Sequence, residues 1–255
     1  MKETKNVKYS SMHKLVTGVI ADEGKIFGLI VDSIEQGKKI LVTYFNQNSL
    51  IIAKDNPTFR KLLLEKYVLF SDGIGMYYFQ KFLNMRCQLF NATDLFCKIL
   101  GWIIETKREI VIVGGNIAQE KVVDFCKGKG IRLNKYFNGY EDLNKFDRII
   151  REIREIRSPI VILGIGTPKQ EFLAEKISKE IEHSCVLCVG RFFEYFTGYE
   201  KRAPKLYRRI GMEWLYRLIT KPKYYFRRYV FGIPIFFLTM LRIKIQFWKI
   251  SISLK

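Results

Sequence analysis

An aspartate at a predicted strand-to-helix junction is the first residue whose position suggests chemistry. The segment Tyr67–Phe70 predicts a buried strand, and Ser71-Asp72-Gly73-Ile74-Gly75 follows it directly. A carboxylate after a buried strand, with glycines that leave space above it, is well placed to act as a general base on a hydroxyl. Asp is also a common N-cap residue of helices. Position alone therefore favours a catalytic and a capping role for Asp72 equally.

A second junction, Gly164-Ile165-Gly166-Thr167-Pro168-Lys169-Gln170-Glu171, predicts the start of a helix. Thr167 suits the N-cap, Pro168 suits the first helical position, and Gln170 completes a capping box. The free N–H groups and the positive dipole end of such a helix form an anion site, to which Lys169 adds charge. A diphosphate could bind there, although the same pattern also fits a purely structural turn.

Glycines mark the places where a ligand could approach the backbone closely. Gly164 and Gly166 permit a tight turn at the second junction, and Gly114-Gly115 follows another predicted strand. The latter pair suits close contact with a nucleotide. It lacks the GxGxxG spacing of the dinucleotide-binding turn.

The elements that must position these residues alternate along the first 200 residues. The apolar runs are continuous, which is typical of parallel strands buried on both faces. We therefore predict an α/β doubly wound sheet with ligands bound at the carboxyl ends of its strands. The predicted strands are Lys39–Tyr44, Tyr67–Phe70, Glu109–Val113, Ile160–Leu163 and Cys185–Val189, and helices are predicted near 48–64, 75–84, 93–106, 117–128, 141–156 and 169–181.

Charge divides the chain into two predicted domains. Residues 201–255 contain 14 Lys or Arg and one acid, Glu213, which amounts to +13 of the total net charge of +19. Residues 1–200 form the predicted catalytic domain, with a nearly balanced charge. The basic, aromatic appendage over 201–255 is expected to bind a polyanion. The candidates are nucleic acid, anionic lipid and a phosphorylated substrate.

The sequence of the appendage predicts helices. Leu206, Ile210, Trp214 and Leu218 recur every four residues as one apolar stripe, and Pro222 and the Gly232/Pro234 pair are expected to interrupt the helical pattern. A last segment places Phe236, Met240, Ile243 and Phe247 on one side, with Phe237, Leu241 and Trp248 adjoining. Apolar residues flanked by Lys and Arg favour a helix in a lipid interface. The alternative is a helix that packs on its own sheet or on another subunit.

Other features narrow the classes of function. The run Tyr229–Leu241 covers 13 positions, fewer than a spanning helix needs, so no integral membrane protein is indicated. No secretory signal is recognised at the amino terminus, which predicts a cytoplasmic protein with reduced thiols. The two histidines lack partners at metal or triad spacing, and no Asp-x-Asp pair occurs. We therefore predict no metal site and no cofactor.

The ordered set of motifs resembles the WecG/TagA/CpsF family of bacterial glycosyltransferases, from about Leu41 to Tyr229. Each motif alone is short, but their order and spacing together are specific. They are Asn46 with Asn56-Pro57-Thr58-Phe59-Arg60, Ser71-Asp72-Gly73-Ile74-Gly75, Ala92-Thr93-Asp94-Leu95-Phe96, Gly114-Gly115, Asn138-Gly139-Tyr140, Gly164–Glu171, Lys201-Arg202-Ala203-Pro204 and Arg208–Leu218.

The resemblance implies an inverting transfer of a sugar from a UDP-sugar to an undecaprenyl-diphosphate-linked sugar, in cell-surface polysaccharide synthesis. It implies a Rossmann-like fold with a membrane-associating carboxy-terminal appendage, peripheral on the inner face of the bacterial plasma membrane. Asp72 matches the proposed catalytic base of the family, and Asn46 and Gln170 match binding residues. Appendage arginines thought to meet the donor diphosphate correspond to Arg202, Arg209, Arg217 and Arg228.

The chain departs from the family pattern at several positions. Tyr44 stands where the family commonly has a threonine two residues before Asn46, and Thr43 precedes it; both are candidate substrate-binding residues. Leu89 replaces a common arginine, whose role Arg86 is a candidate to fill. The donor sugar is therefore not assigned. A non-catalytic nucleotide- or nucleic-acid-binding protein is the alternative, and the sequence is also compatible with a homo-oligomer.

Overall fold

A parallel sheet organises the chain. The computed structural model describes residues 5–139, 146–156 and 159–253. The described residues form a six-stranded sheet in the order β2-β1-β6-β5-β3-β4, and all neighbouring strands run parallel. The predicted α/β doubly wound class is confirmed. The strands are β1 (Ile40–Phe45), β2 (Val68–Ser71), β3 (Glu109–Gly114), β4 (Arg132–Phe137), β5 (Ile160–Gly164) and β6 (Cys185–Cys188).

Five of these strands confirm the sequence prediction to within one residue at each end, and β4 was not predicted. Its sequence, RLNKYF, alternates exposed and partly buried positions because it lies at the edge of the sheet and pairs only with β3. An edge strand needs no continuous apolar run. The missed strand therefore follows from its place in the sheet.

Helices cover both faces of the sheet. One apolar cluster packs α2, α6, α7 and α10 on the first face, and two further clusters pack the remaining body helices and α14 on the second. The body helices are α1 (Lys5–Thr17), α2 (Glu23–Glu35), α3 (Gln47–Asp55), α4 (Pro57–Lys66), α5 (Gly73–Phe82), α6 (Ala92–Glu105), α7 (Gln119–Gly128), α8 (Phe146–Arg154), α9 (Lys169–Glu180) and α10 (Phe192–Phe196).

Two helix predictions change in the structure. The helix expected over 48–64 is two helices because Asn56 caps α4, with its side-chain oxygen 2.9 Å from the amide nitrogen of Phe59, and Pro57 occupies the first helical position. The helix expected over 141–156 is described from Phe146 onward, and residues 140–145 lie outside the described residues. Helices α1 and α2 were not predicted.

The appendage folds as a chain of short helices followed by a long one. They are α11 (Lys205–Arg209), α12 (Glu213–Thr220), α13 (Pro222–Phe226), a π-helical turn (Arg227–Phe231) and α14 (Gly232–Ser253). The predicted single stripe through Leu206 and Ile210 is wrong. Gly211 adopts a positive φ of 72° and separates α11 from α12, which leaves Leu206 67% exposed and Ile210 55% exposed.

The expected interruption of the helical pattern is confirmed in part: α13 begins at Pro222 and α14 begins at Gly232, but no break separates α14 from the π-helical turn before it. The helical course continues, because the wide π-helical turn ahead of Gly232 accommodates a proline that cannot donate a backbone hydrogen bond. Among the described residues, one helical stretch is long and apolar enough to cross a membrane by length and composition. It is Pro222–Gln246, which runs from α13 through the π-helical turn into α14. This helix is apolar enough to be membrane-associating. The prediction against an integral membrane protein stays a prediction.

The two faces of α14 meet different surroundings. Phe236, Met240 and Ile243 are buried against α1 and α3, as the alternative of packing on the body predicts. The adjoining Phe237 and Trp248 are 60% and 65% exposed. One helix thus anchors the appendage to the body and leaves an apolar face uncovered. The side chain of Phe247 lies outside the described part of the chain.

Candidate active site

Asn46 and Asp72 lie side by side at the carboxyl edge of the sheet. Strands β1 and β2 are parallel neighbours with Phe45 opposite Ser71, so the next residue of each strand emerges at the same level. The side-chain nitrogen of Asn46, Nδ2, donates a hydrogen bond to Asp72 Oδ2 at 3.2 Å. Strand register therefore positions the two polar side chains.

The side chain of Asn46 is held in one orientation. Asn46 is the N-cap of α3, and its Oδ1 accepts hydrogen bonds from the N–H groups of Asn48 at 3.0 Å and Ser49 at 3.2 Å. Because the oxygen is occupied by the helix end, the amide nitrogen turns toward Asp72. The capping geometry of one helix thus provides a fixed donor to the neighbouring carboxylate.

Asp72 precedes α5 but its side chain makes no capping bond to that wholly described helix. Its Oδ1 instead accepts a hydrogen bond from the backbone N–H of Ala92, the first residue of α6, at 2.9 Å. The capping role is therefore wrong. Burial raises the pKa of Asp72, and the bonds from Ala92 and Asn46 partly offset that rise. A carboxylate with a raised pKa is a stronger base than a fully solvated one.

Asp72 and Asn46 open into a cavity of about 690 Å³ between the body and the appendage. The body contributes the ends of β1 and β2 and the start of α5. The appendage contributes basic side chains that the sequence places far from Asp72. The charged residues lining this cavity are Asp72, Asp94, Lys205, Arg208, Arg209, Glu213, Arg217 and Arg228.

Three of the four arginines expected to meet a diphosphate line this cavity, namely Arg209, Arg217 and Arg228. The fourth, Arg202, instead makes a 2.6 Å ion pair with Asp94 and donates to Asn91 Oδ1 at 3.2 Å. Arg202 therefore attaches the appendage to the start of α6. It lies outside the lining of the cavity.

Glu213 is a buried residue of the candidate site to which the sequence analysis assigned no role. It is buried, and its Oε2 accepts a hydrogen bond from Asn91 Nδ2 at 3.1 Å. Its Oε1 accepts from Arg217 Nη2 at 2.5 Å, and the negative charge of Glu213 raises the pKa of Arg217 although burial opposes that rise. Asn91 caps α6 immediately before Ala92. A short chain of contacts therefore links the appendage to the peptide group that binds Asp72.

Gln170 and Thr43 lie in a buried network beneath the carboxyl edge of the sheet. Gln170 Nε2 donates to Glu171 Oε1 at 2.9 Å, Thr43 Oγ1 donates to the same oxygen at 2.8 Å, and Gly190 N donates to Gln170 Oε1 at 3.1 Å. The predicted capping box is wrong, because α9 begins at Lys169 and Gln170 bonds inward. These contacts fix the loop after β5.

Tyr44 and Lys169 lie at the outer side of this network. Thr167 Oγ1 donates to the hydroxyl of Tyr44 at 3.4 Å. Burial raises the pKa of Tyr44 to about 12, so its hydroxyl stays protonated near neutral pH. Lys169 is exposed at the start of α9. Neither residue lines the 690 Å³ cavity.

The glycines expected near a nucleotide meet at the crevice between β3 and β5, where the chain connections leave in opposite directions. Gly114 and Gly164 are opposite each other in the parallel pair, and a Cβ on Gly114 would lie 2.6 Å from the backbone of Gly164. Close packing of the backbone therefore requires Gly114. Gly115 and Gly166 adopt positive φ values of 73° and 85°, and Gly166 has open space above it.

A family model for the glycosyl transferase WecG/TagA/CpsF family matches residues 18–249. The chain belongs to the WecG/TagA/CpsF glycosyltransferase family. Membership in the WecG/TagA/CpsF family implies a glycosyltransferase of cell-surface polysaccharide synthesis, which uses a sugar donor and an acceptor. The resemblance noted from Leu41 to Tyr229 is confirmed and extends further toward both termini.

One of the two departures from the WecG/TagA/CpsF pattern, at Leu89 rather than at Tyr44, falls at the 690 Å³ cavity. Leu89 lines it and is 45% exposed, whereas Arg86 is exposed and outside the lining. Arg208 and Lys205 supply positive charge to the same cavity from the appendage. Within the described ranges, no three His, Cys, Asp or Glu side chains are grouped closely enough to hold a metal ion. The expectation of metal independence stays a prediction.

Proposed function

We propose that this member of the WecG/TagA/CpsF family transfers a sugar from a UDP-sugar to a sugar carried on an undecaprenyl diphosphate, with inversion at the anomeric carbon. The observation that carries the proposal is the Asn46–Asp72 pair, which opens into a cavity lined by appendage arginines. A base and a concentration of positive charge are the two features that such a displacement needs.

Asp72 is the proposed general base. Its carboxylate accepts the proton of the acceptor hydroxyl as that oxygen forms a bond to the anomeric carbon. The bond from that carbon to the donor diphosphate breaks on the opposite face, and UDP leaves with the electron pair. Asn46 stabilises the carboxylate form through its 3.2 Å bond to Oδ2. General-base assistance of this kind contributes ~10²–10⁴ in rate.

The donor is proposed to occupy the crevice between β3 and β5, with its sugar directed toward Tyr44 and Asn46. The positive φ of Gly166 and the open space above it suit close approach of a diphosphate to the loop after β5. Lys169 and the appendage residues Arg209, Arg217 and Arg228 are proposed to neutralise the departing charge. Gly114, Gly115, Gly164 and Gln170 support this loop region.

The appendage is proposed to dock on the inner face of the bacterial plasma membrane as a peripheral, cytoplasmic contact. Lys and Arg flank its exposed apolar side chains, as expected of an interfacial helix, and the opposite face of α14 is buried on the body. That second contact favours lying on the membrane over crossing it. The exposed apolar residues are Phe226, Val230, Phe231, Ile235, Phe237, Leu238, Leu241, Ile245 and Trp248.

The experiment that tests this function measures UDP release from a panel of UDP-sugars, with a synthetic lipid-diphosphate-sugar acceptor and EDTA present. We expect release from one donor that depends on the acceptor and persists in EDTA. A folded protein that releases no UDP across a broad panel would contradict the proposal. Loss of release in EDTA alone, with recovery on adding a divalent metal, would contradict metal independence and leave the transferase intact.

A further inference from the structure

The cavity beside Asp72 has an apolar half that the proposed sugar transfer does not use. Polar and charged residues occupy the side formed by β1, β2, α11 and α12. The other side is lined by Ile74, Tyr78, Leu89, Phe236, Phe237 and Met240. A sugar hydroxyl, a diphosphate and a general base need none of these side chains. The apolar half therefore calls for a ligand part of different chemistry.

Helices α5 and α14 form this apolar half. Phe79 of α5 and Phe236 of α14 pack edge to face at 5.9 Å, and both are buried. Gly75 lies directly against this pair, because a Cβ placed there would be 3.6 Å from the ring of Phe236. Tyr78 of α5 and Phe237 of α14 are each 60% exposed and line the same cavity. Phe79 and Phe236 therefore form a buried aromatic base, and Tyr78 and Phe237 each present an exposed ring to the cavity.

This apolar half begins at the proposed base and extends along α5. Asp72, Gly75 and Tyr78 follow one another at intervals of three residues, and all three line the cavity. The small size of Gly75 keeps the passage between the other two open. A ligand whose polar end reaches Asp72 can therefore continue along Tyr78 toward the exposed face of α14.

The positive charge at the same cavity indicates that the polar end of that ligand is an anion. Lys205 and Arg208 line the cavity in addition to the three arginines proposed to meet the donor diphosphate, and Asp94 already accepts bonds from Arg202 and Arg208. Several positive charges beside an apolar wall suit a diphosphate that continues into a hydrocarbon chain. Phe237 belongs both to this wall and to the exposed apolar face of α14, so it links the cavity to the surface proposed to meet the membrane.

We propose that the wall formed by Gly75, Tyr78, Phe236 and Phe237 binds the isoprenoid units next to the diphosphate of the acceptor lipid. This inference rests on the proposed function, because it assigns part of the same acceptor. It makes the hydrocarbon chain a bound part of the substrate inside the protein. The membrane then holds only the remainder of the chain.

Binding tests this inference without any turnover. The full chain is titrated with methyl, geranyl and farnesyl diphosphate in membrane-free buffer, by calorimetry or by the fluorescence of Trp214, which lines the cavity. We expect affinity to rise by about tenfold or more per isoprene unit, since each unit buries further apolar surface against the wall. Equal affinity for methyl and farnesyl diphosphate would overturn the proposal.

Matched variants locate the binding surface. Phe237→Ser and Tyr78→Ser should remove most of the preference for farnesyl over methyl diphosphate, and Gly75→Leu should block the passage. Phe231→Ser is the control, because Phe231 is 59% exposed on the same appendage but lies outside the cavity lining. It should retain the preference. An equal loss in Phe231→Ser and Phe237→Ser would indicate adsorption to the outer apolar face and overturn the proposal.

Activity separates this inference from the proposed function. If no donor supports transfer but farnesyl diphosphate binds with the expected chain preference, the transfer proposal fails and the isoprenoid site stands. If transfer proceeds with the same KM for acceptors carrying a methyl and a farnesyl group, the isoprenoid site fails and the transferase stands. A higher KM for the methyl acceptor, with the donor KM unchanged, supports both.

Discussion

Asn46 donates a hydrogen bond to Asp72 across neighbouring parallel strands, with 3.2 Å between Nδ2 and Oδ2. The contact depends on the pairing of Phe45 with Ser71 and on the capping of α3 by Asn46 Oδ1. It holds a half-buried carboxylate, already bound to the start of α6, with a fixed orientation at the cavity. Burial raises the pKa of the proposed base, and the Asn46 bond partly offsets that rise while fixing the position of the carboxylate.

Replacing Asn46 by Ser should impair catalysis without unfolding α3. Serine retains a side-chain oxygen for the N-cap but cannot donate to Asp72 in the same way. Loss of the donor should raise the pKa of Asp72 further and move the acid limb of the kcat/KM profile to higher pH, with a loss of about tenfold or more below that limb. The measurement is the pH profile of UDP release.

Asn56→Ser provides the control for that change, because Asn56 also caps a helix but contacts Phe59 rather than Asp72. It should leave the pH profile of UDP release in place. An unshifted acid limb in Asn46→Ser would show that this amide does not control the ionisation of the base.

Opposite charge changes at Glu213 and Arg217 should shift the pKa of Asp72 in opposite directions. Burial is the main reason that this pKa is raised; the charge of Glu213 adds to the rise and that of Arg217 opposes it. Glu213→Gln should therefore move the acid limb to lower pH, and Arg217→Gln to higher pH. Profiles of kcat/KM for both variants check the signs, and shifts in the same direction would contradict the assigned electrostatics.

Glu213 should also hold the appendage on the body. Glu213→Ala removes the acceptor for Asn91 and the partner of Arg217, whereas Glu213→Gln keeps an acceptor oxygen. We expect faster amide hydrogen exchange in α11 and α12 for the alanine variant, because buried groups left without partners favour local opening. Equal exchange in the wild type and both variants would show that Glu213 does not secure docking.

Much of the fold and part of the site follow from sequence, for identifiable reasons. Continuous apolar runs predict buried parallel strands, and parallel strands end at one edge, so Asp72 was expected at that edge, whereas Asn46 was identified through the family resemblance. Met12, Leu15, Val16 and Val19 are spaced i, i+3, i+4, i+7, which is typical of a helix and falls at the end of α1. This helix was nevertheless not among those predicted. Edge strand β4 offered no such signal.

The contribution of the appendage was predictable only in part. Positive charge and the family resemblance identified Arg209, Arg217 and Arg228, but Arg208 and Glu213 reach the cavity because Gly211 breaks the helical pattern. Gln170 was predicted to bind a ligand, whereas in the structure its side chain makes hydrogen bonds to residues of the body. Contacts between distant segments depend on tertiary packing, which local spacing does not encode.

Gly114→Ala should destabilise the protein strongly. A Cβ there would lie 2.6 Å from the backbone of Gly164, and the φ of 149° is unfavourable for an L side chain. We expect a loss of about 3 kcal/mol or more in the free energy of unfolding. Gly28→Ala is the control, because Gly28 is inside α2 with open space at its Cβ. It should be neutral or slightly stabilising, and equal urea midpoints for the two variants would contradict the packing argument.

The exposed apolar face of the π-helical turn and α14 should control membrane binding. The paired substitution Phe231→Ser with Leu241→Ser removes apolar side chains that are 59% and 49% exposed. Binding to anionic vesicles should fall by about tenfold or more with the thermal midpoint unchanged, because full burial of each side chain in lipid contributes about 1.5–3 kcal/mol and both are about half exposed. Vesicle cosedimentation measures the effect. Unchanged binding would place the membrane contact elsewhere.

The role of Asp72 is tested most directly by acceptor-dependent UDP release from Asp72→Asn, measured beside UDP binding by the same protein. The asparagine fills nearly the same space but cannot accept the proton. The account predicts a loss of ~10²-fold or more in turnover with UDP affinity nearly unchanged. Turnover close to that of the wild type would contradict the assignment of Asp72 as the general base.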